Sequence, residues 1–252
     1  MRQSIATAGR RHSPLEPAWR GDAAAASAAV AGRAVMSGST TLPAVSALAV
    51  RDVAVVRGGR RVLDAVDFRL EAGEAMAVTG ENGAGKSTLL RAIAGLVPLA
   101  GGAITLEGHA LDDGPAARAM HYVGHLDALK PALTVVETLR FWARFLGSPD
   151  DGRRGRVEEA LDSLDLALLA DLPAGLLSAG QRRRLAFARL VAVPRPVWLM
   201  DEPTAALDAA SAARLGGLMA GHLGRGGIVV AATHDDLPGV DPLRLDLPGE
   251  AA

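Results

Sequence analysis

The chain has 252 residues, and its 27 Lys plus Arg stand against 28 Asp plus Glu, a formal net charge of −1 with a sequence pI of about 6.6. That balance gives no electrostatic ground for nucleic acid or an acidic membrane surface as the main partner. No cysteine is present, which excludes disulfides, thiol nucleophiles, iron–sulfur clusters and thiolate zinc sites. With 49% apolar and 22% charged residues the chain can bury a core, yet only 3% is aromatic (3 Trp, 1 Tyr, 4 Phe), so any stacking surface must be built from very few rings.

Residues 1–46 are rich in Ala, Arg, Ser, Gly and Pro without periodicity, which reads as a disordered tail. Three readings stand together here: a tail, an Arg- and Ala-rich transit peptide against which Glu16 and Asp22 count, and a start codon placed too far upstream with Met36 as the first residue. No run of 18 uninterrupted apolar residues occurs, so no bilayer span is expected.

From Leu48 the pattern alternates. Leu48–Val56 and Val62–Leu70, separated by Arg57-Gly58-Gly59-Arg60, predict an antiparallel pair joined by a turn. Ala75–Val78, Val197–Met200 and Ile228–Ala232 are short continuous apolar runs of the buried parallel type, with helical stretches between them. The fold class is therefore α/β, a parallel sheet with a small antiparallel part in front.

Directly after the first buried strand stands Gly80-Glu81-Asn82-Gly83-Ala84-Gly85-Lys86-Ser87, which satisfies G-x-x-x-x-G-K-[ST] in the strand-then-helix context the motif requires. The glycines let backbone N–H groups turn inward around phosphate oxygens, and the helix adds its positive end. Lys86 is placed to reach the β- and γ-phosphates, Ser87 to ligate Mg²⁺, and Thr88 to touch the α-phosphate. A P-loop leaves kinases, GTPases and motor ATPases open, and no Asn-Lys-x-Asp guanine-reading motif is present. Val197–Met200 ends in Asp201-Glu202, acids at a strand's carboxyl end, where Asp201 suits the metal and Glu202 suits the polarising of an attacking water.

Leu177-Ser178-Ala179-Gly180-Gln181 precedes a predicted helix, Arg182–Val191, and Ser178 with Gln181 forms a capping box. Arg182-Arg183-Arg184 in the first turn opposes the helix macrodipole, an arrangement that an anion bound there would explain.

Leu177–Gln181 resembles the signature motif of ABC-transporter ATPase subunits, with Ala179 in place of one Gly, and the family's other motifs follow in its order. Gly80–Ser87 resembles Walker A and Val197–Asp201 Walker B, with Glu202 as the catalytic glutamate. Ala206-Leu207-Asp208 resembles the D-loop and His234 the switch histidine. The resemblance spans about 48–248 and implies a RecA-like P-loop core with an N-terminal antiparallel β subdomain and a helical signature subdomain at about 134–190, within an ATPase domain at 47–249. It also implies two subunits that sandwich ATP head to tail, so that Ser178, Gly180, Gln181 and Asp208 of one face the nucleotide on the P-loop of the other.

Between P-loop and signature, Tyr122-Val123-Gly124-His125 places His125 in the Q-loop, where most members have Gln, and Leu133–Trp142 continues as L-T-V-V-E-T-L-R-F-W. With Ser-Ala-Gly-Gln-Arg-Arg-Arg, this pattern resembles the haem-exporter ATP-binding subunits of cytochrome c maturation, the CcmA type. Arg57 stands where many ABC ATPases stack an aromatic ring on adenine, and a guanidinium can also stack on a base. An imidazole titrates near neutrality as an amide cannot, so His125 reads either as a strand-capping residue or as a water- or Mg²⁺-facing sensor. Thr134 and Glu137 make a second capping box, and Leu139, Trp142 and Leu146 recur at helical spacing. Phe141, Trp142 and Phe145 gather within five positions, a cluster that suits either subdomain packing or a grip on a helix of an integral membrane subunit. His109, His121 and His222 have no metal-ligand spacing and read as surface or packing residues.

The function this implies is ATP hydrolysis, at the cytoplasmic face of the inner membrane, that energises haem export or haem-chaperone release through a membrane subunit. The nearest rival is the ATPase subunit of a drug or lipid exporter, which only the 122–147 region separates from it. A non-transport ABC protein acting on DNA or ribosomes is disfavoured by the single ATPase unit, the absence of a long coiled-coil insertion and the lack of basic excess.

Overall fold

The computed structural model describes residues 45–107, 109–110, 118–147 and 154–248. Of the stretch 1–46, all but Val45 and Ser46 lies outside the described residues.

The predicted antiparallel pair forms as β1 (Ala47–Arg57) and β2 (Arg60–Glu71), joined at Gly58-Gly59. β4 (Gly101–Leu106) pairs on the other side of β1, and β5 (His109–Ala110) on β4, giving a sheet of order β2-β1-β4-β5. The second sheet has the order β6-β7-β8-β3-β9, from Met120–Val123, Val197–Asp201, Ile228–Ala232, Ala75–Thr79 and Leu243–Asp246, with every neighbouring pair parallel.

Period-2 alternation divides each central strand between two cores. Val197 and Leu199 of β7, with Ile228, Val230 and Ala232 of β8, face the antiparallel sheet and α1 (Lys86–Ile93). Trp198, Met200, Val229 and Ala231 face the opposite layer, made of α2 (Val135–Phe145), α3 (Arg154–Ser163), α4 (Ala179–Ala192) and α5 (Ala209–Gly224). Because the sheet is covered on both faces, its strands are apolar throughout, which is why they read as continuous runs in the sequence. Both predicted capping boxes form: Thr134 opens α2 with Glu137, and Ser178 opens α4 with Gln181. α4 begins at Ala179, three residues before the predicted start, because the cap residue itself sets the first turn.

β6 lies at the edge of the parallel sheet, so alternate carbonyls face β7 and the others face away from it. The outward carbonyls are taken by three guanidinium groups: Arg195 donates to Met120 O at 2.6 Å, Arg189 to Tyr122 O, and Arg183 to Gly124 O at 2.8 Å. Side chains of α4 and the segment after it thus do the work of a missing strand and close the edge to other chains.

Two histidines read from sequence as packing residues are buried. The His222 ring stacks on Trp198 with centroids 3.8 Å apart and lies 3.1 Å from Pro196 O, to which Nε2–H donates; His121 Nε2–H donates to Val193 O at 2.6 Å. Burial pushes the His222 pKa down to about 4 and that of His121 down to about 3, the carbonyl bonds opposing it only in part. Both rings are neutral in the fold, whereas an unfolded His protonates near 6.5, so the unfolded chain binds more protons as pH falls. Stability is therefore complete above about pH 6.5 and declines down to about 4 for His222 and about 3 for His121, the His222 share being on the order of 3 kcal/mol. Thermal denaturation across pH 7.5 to 4 should show this decline, and His222→Gln, although less stable at neutral pH, should show a shallower one.

Candidate active site

The parallel strands bring their carboxyl ends to one rim of the sheet, where α/β folds form crevices. β3 ends at Thr79 and the chain turns through residues 80–85 into α1. Two glycines there have no substitute. Gly80 lies at φ +134, and a Cβ on it would stand 2.4 Å from Leu247 O; Gly85 lies at φ +96, and a Cβ on it would meet Leu63 Cδ2 at 2.8 Å. The left-handed Gly85 immediately precedes the helix, so the N–H groups of Lys86, Ser87 and Thr88 have no intrahelical acceptor. With the helix dipole they form an anion cradle.

Lys86 is buried beside it, its ammonium donating to Gly80 O at 2.7 Å and Glu81 O at 3.0 Å, and standing 3.0 Å from His234 Nε2. The same Nε2 is 3.1 Å from Asn82 Oδ1 and 3.8 Å from Glu202 Oε1. An ammonium only donates, so Nε2 accepts from Lys86 in one tautomer or donates toward Asn82 and Glu202 in the other. His234 is thus a two-position contact between the loop lysine and the carboxylate.

Across the crevice, Ser87 Oγ–H donates to Asp201 Oδ1 at 3.0 Å, with Asp201 buried at the end of β7. A hydroxyl and a carboxylate side by side are hard oxygen donors of the kind Mg²⁺ takes. A cavity of about 310 Å³ is lined by Asn82, Gly83, Gly85, Lys86, Ser87, Thr88, His125, Asp201 and Glu202. Residues from three separate segments of the chain therefore meet on one crevice.

The remaining residues singled out from the sequence lie elsewhere. Arg57 is exposed at the end of β1 and is not part of this lining. Ser178, Gly180 and Gln181 open α4 outside this lining, where a Cβ on Gly180 would stand 3.1 Å from Ala206 O, so the start of α4 and the segment 206–208 are neighbours. Asp208 caps α5, its Oδ1 accepting from Ser211 N at 2.7 Å, and the Ser211 backbone and side-chain bonds hold its carboxyl below the usual range. Glu81 contributes its carbonyl to Lys86, and Ala84 packs in the core beneath the loop.

The arginine run needs no anion. Arg182 donates to Leu177 O at 2.6 Å, and Arg184 to Leu164 O at 3.0 Å and to Asp165. Arg183 is buried against the Asp201-Glu202 turn and the His125 loop. Each guanidinium turns back from the helix end onto a carbonyl, which offsets the dipole without a ligand. The sequence reasoning missed Arg183, although its spacing from Phe187 and Leu190, at i+4 and i+7, places it on the buried stripe of α4.

The aromatic cluster also divides. Phe141 and Phe145 stack at 5.8 Å and line an open groove of about 640 Å³ with Leu133, Glu137, Arg140 and Arg144. Trp142 does not line that groove; it meets both phenyl rings edge-on and lies under the Arg189 guanidinium, 5.0 Å from its ring centroid.

Residues 63–205 match the model of the ABC transporter family. The chain belongs to the ABC transporter family. Within it, the chain is 56% identical over 178 residues to the "Cytochrome c biogenesis ATP-binding export protein CcmA" of Mesorhizobium japonicum, covering 71% of this chain and 87% of that one. It is 52% identical over 208 residues to the protein of the same name from Bradyrhizobium diazoefficiens, covering 81% and 99%. These relatives put the chain in the CcmA branch of the family. Among solved structures, the ATP-binding subunit of an ABC transporter superposes with a TM-score of 0.69 at 29% identity, over 74% of this chain and 79% of that one.

An anion cradle faced by a buried ammonium has the chemistry to take a phosphate group. Lys86→Met should weaken binding of a fluorescent ATP analogue by on the order of 10²-fold, a charge-assisted phosphate contact being lost, while the thermal transition stays close to that of the parent.

Proposed function

We propose that the chain hydrolyses ATP as one half of a head-to-tail homodimer and energises a membrane complex of cytochrome c biogenesis, driving haem export or release from a haem chaperone. The observation that carries the chemistry is the crevice in which Lys86, Ser87, Asp201, Glu202 and His234 converge. The cytochrome c assignment is supported by the names of relatives that share about half their residues with this chain.

In this reading the P-loop N–H groups and Lys86 hold the β- and γ-phosphates, and Ser87 with Asp201 holds Mg²⁺, Asp201 through water. Bound there, Mg²⁺ would neutralise charge on the phosphate oxygens. Glu202 accepts a proton from the attacking water, and His234 leaves Lys86 to contact the γ-phosphate, its second position beside Glu202 keeping it within reach. His125, lining the same crevice, faces the water or the metal from the Q-loop side. Arg57 stacks on adenine. The signature residues Ser178, Gly180 and Gln181, with Asp208, complete the site of the second subunit; none of the four lines this chain's own P-loop crevice.

Among the described residues no helix is long and apolar enough to cross a membrane, and the chain acts peripherally at the cytoplasmic face of the inner membrane by docking an integral subunit. Phe141 and Phe145 grip a helix of that subunit, rimmed by Arg140, Arg144 and Glu137. No nucleic acid takes part.

Glu202→Gln should lower ATP turnover at least ~10²-fold by removing the base, and with MgATP it should accumulate as a dimer by light scattering; a monomer in the presence of its membrane subunit overturns the dimer. Phe145→Ala, an exposed position, should lose copurification with the membrane subunit at unchanged basal turnover.

A further inference from the structure

Arg183 is only 4% exposed, and its guanidinium joins two walls of the crevice. Nη2 donates to Asp201 O at 2.7 Å and to Glu202 O at 2.8 Å, while Nη1 donates to Gly124 O at 2.8 Å and lies 3.3 Å from Asp127 Oδ1. Its Cζ lies over the Phe187 ring, 4.8 Å from the centroid, a cation–π contact that helps hold the fork in place. Gly124 and Asp127 flank His125 on either side.

The backbone explains why one nitrogen can hold two successive carbonyls. Along a strand, consecutive carbonyls point in opposite directions. Glu202 lies at φ +48, in the left-handed region that residues with a Cβ enter at a cost of about 1–2 kcal/mol. That turn swings Glu202 O to the same side as Asp201 O, and both reach Nη2; on the other side Glu202 N–H donates to Ala232 O at 2.8 Å. The left-handed turn that aims the Glu202 side chain into the crevice is thus held from two sides, by β8 and by Arg183. The guanidinium touches neither the Glu202 carboxylate nor the phosphate cradle.

We propose that Arg183 is a positioning residue for ATP hydrolysis, holding the strained Glu202 turn and the His125 loop in one fixed relation through a single buried guanidinium. It rests on the reading of Glu202 as the base. A displacement of the His125 loop pulls on Nη1, and the planar fork passes it to the carbonyls on either side of the Glu202 turn. Lysine cannot serve, because one ammonium on a shorter stem presents no two-sided fork.

The test is a double-mutant cycle on the full chain, with turnover counted per titrated nucleotide site so that misfolded molecules drop out. Arg183→Gln should lower kcat by on the order of 10²-fold, as misplacement of a reacting group by about 1 Å does, with KM for MgATP within about threefold of the parent. Arg183→Lys should reproduce that split if the glutamine variant folds poorly. Added to Glu202→Gln, Arg183→Gln should slow single-turnover hydrolysis by less than about threefold, because both substitutions remove one function. Arg195→Met, which removes another guanidinium from the β6 edge far from Glu202, should lower the thermal midpoint without changing kcat. A parental kcat in both Arg183 variants, or a full Arg183 effect on top of Glu202→Gln, overturns the proposal. Parental turnover in Glu202→Gln alone instead overturns the assignment of the base.

Discussion

The exposed edge of β6 sets a requirement that much of the molecule is arranged to meet. A parallel edge strand presents every second carbonyl to whatever lies beside it, and buried carbonyls without donors are costly. Here the donors come from side chains. Arg183, Arg189 and Arg195 are spaced six residues apart, and they answer Gly124, Tyr122 and Met120, spaced two apart, so α4 and the segment after it run along the edge in the opposite sense. Each arginine has a second partner: Arg195 donates to Leu146 O at the end of α2, Arg189 lies over Trp142 of α2, and Arg183 holds the Asp201-Glu202 turn. The same three side chains that close the sheet also fasten the aromatic helix at one end and the acidic turn at the other. A strand in their place would have satisfied the carbonyls and connected neither.

Charge follows the same economy in the crevice. Lys86 is buried without a carboxylate of its own, and its ammonium is met by two carbonyls and an imidazole. Such partners solvate a cation without neutralising it, so the positive field remains directed at the anion cradle. Asp201 is buried against a hydroxyl rather than a cation, which leaves its negative charge available to a metal. Lys86 and Asp201, far apart in sequence, take separate partners and do not pair with each other, so a positive and a negative group both stay open to the crevice.

Much of this was legible because it is written in local rules. The Gly80–Ser87 loop, both capping boxes, the hairpin at Gly58-Gly59 and the three buried strands depend on residues within a few positions of one another, and each forms where the pattern places it. The arginines of α4 were misread for the opposite reason. A local rule, the unfavourable charge at a helix start, points to an anion, whereas Arg182 donates to a carbonyl 5 residues back and Arg183 and Arg184 to carbonyls 18 to 59 residues distant in sequence. Burial of a guanidinium is decided by tertiary partners that periodicity registers only as an arginine on an apolar stripe. Trp142 is similar: helical spacing marked it as packing and clustering marked it as docking, and its place under Arg189 shows that it supports the groove from behind.

The scarcity of rings gives that support its significance. With 3% aromatic residues, the chain stacks three of its rings on one face of α2 and another, Trp198, on His222 in the core. Phe141 and Phe145 remain exposed while Trp142 anchors them to Arg189, and Arg189 to the strand that leads into the His125 loop. From the phenyl rings inward the contacts follow one another: edge-on aromatic contact, cation over indole, then a charge-assisted bond to the β6 backbone. One step further along, at Gly124 to Ala128, the strand has ended, and among the described residues Arg183 bonds the loop to the Glu202 turn. A chain of side-chain contacts therefore runs from the exposed rings of α2 through Trp142 and Arg189 to the β6 backbone, and Arg183 continues it from Gly124 to the Glu202 turn.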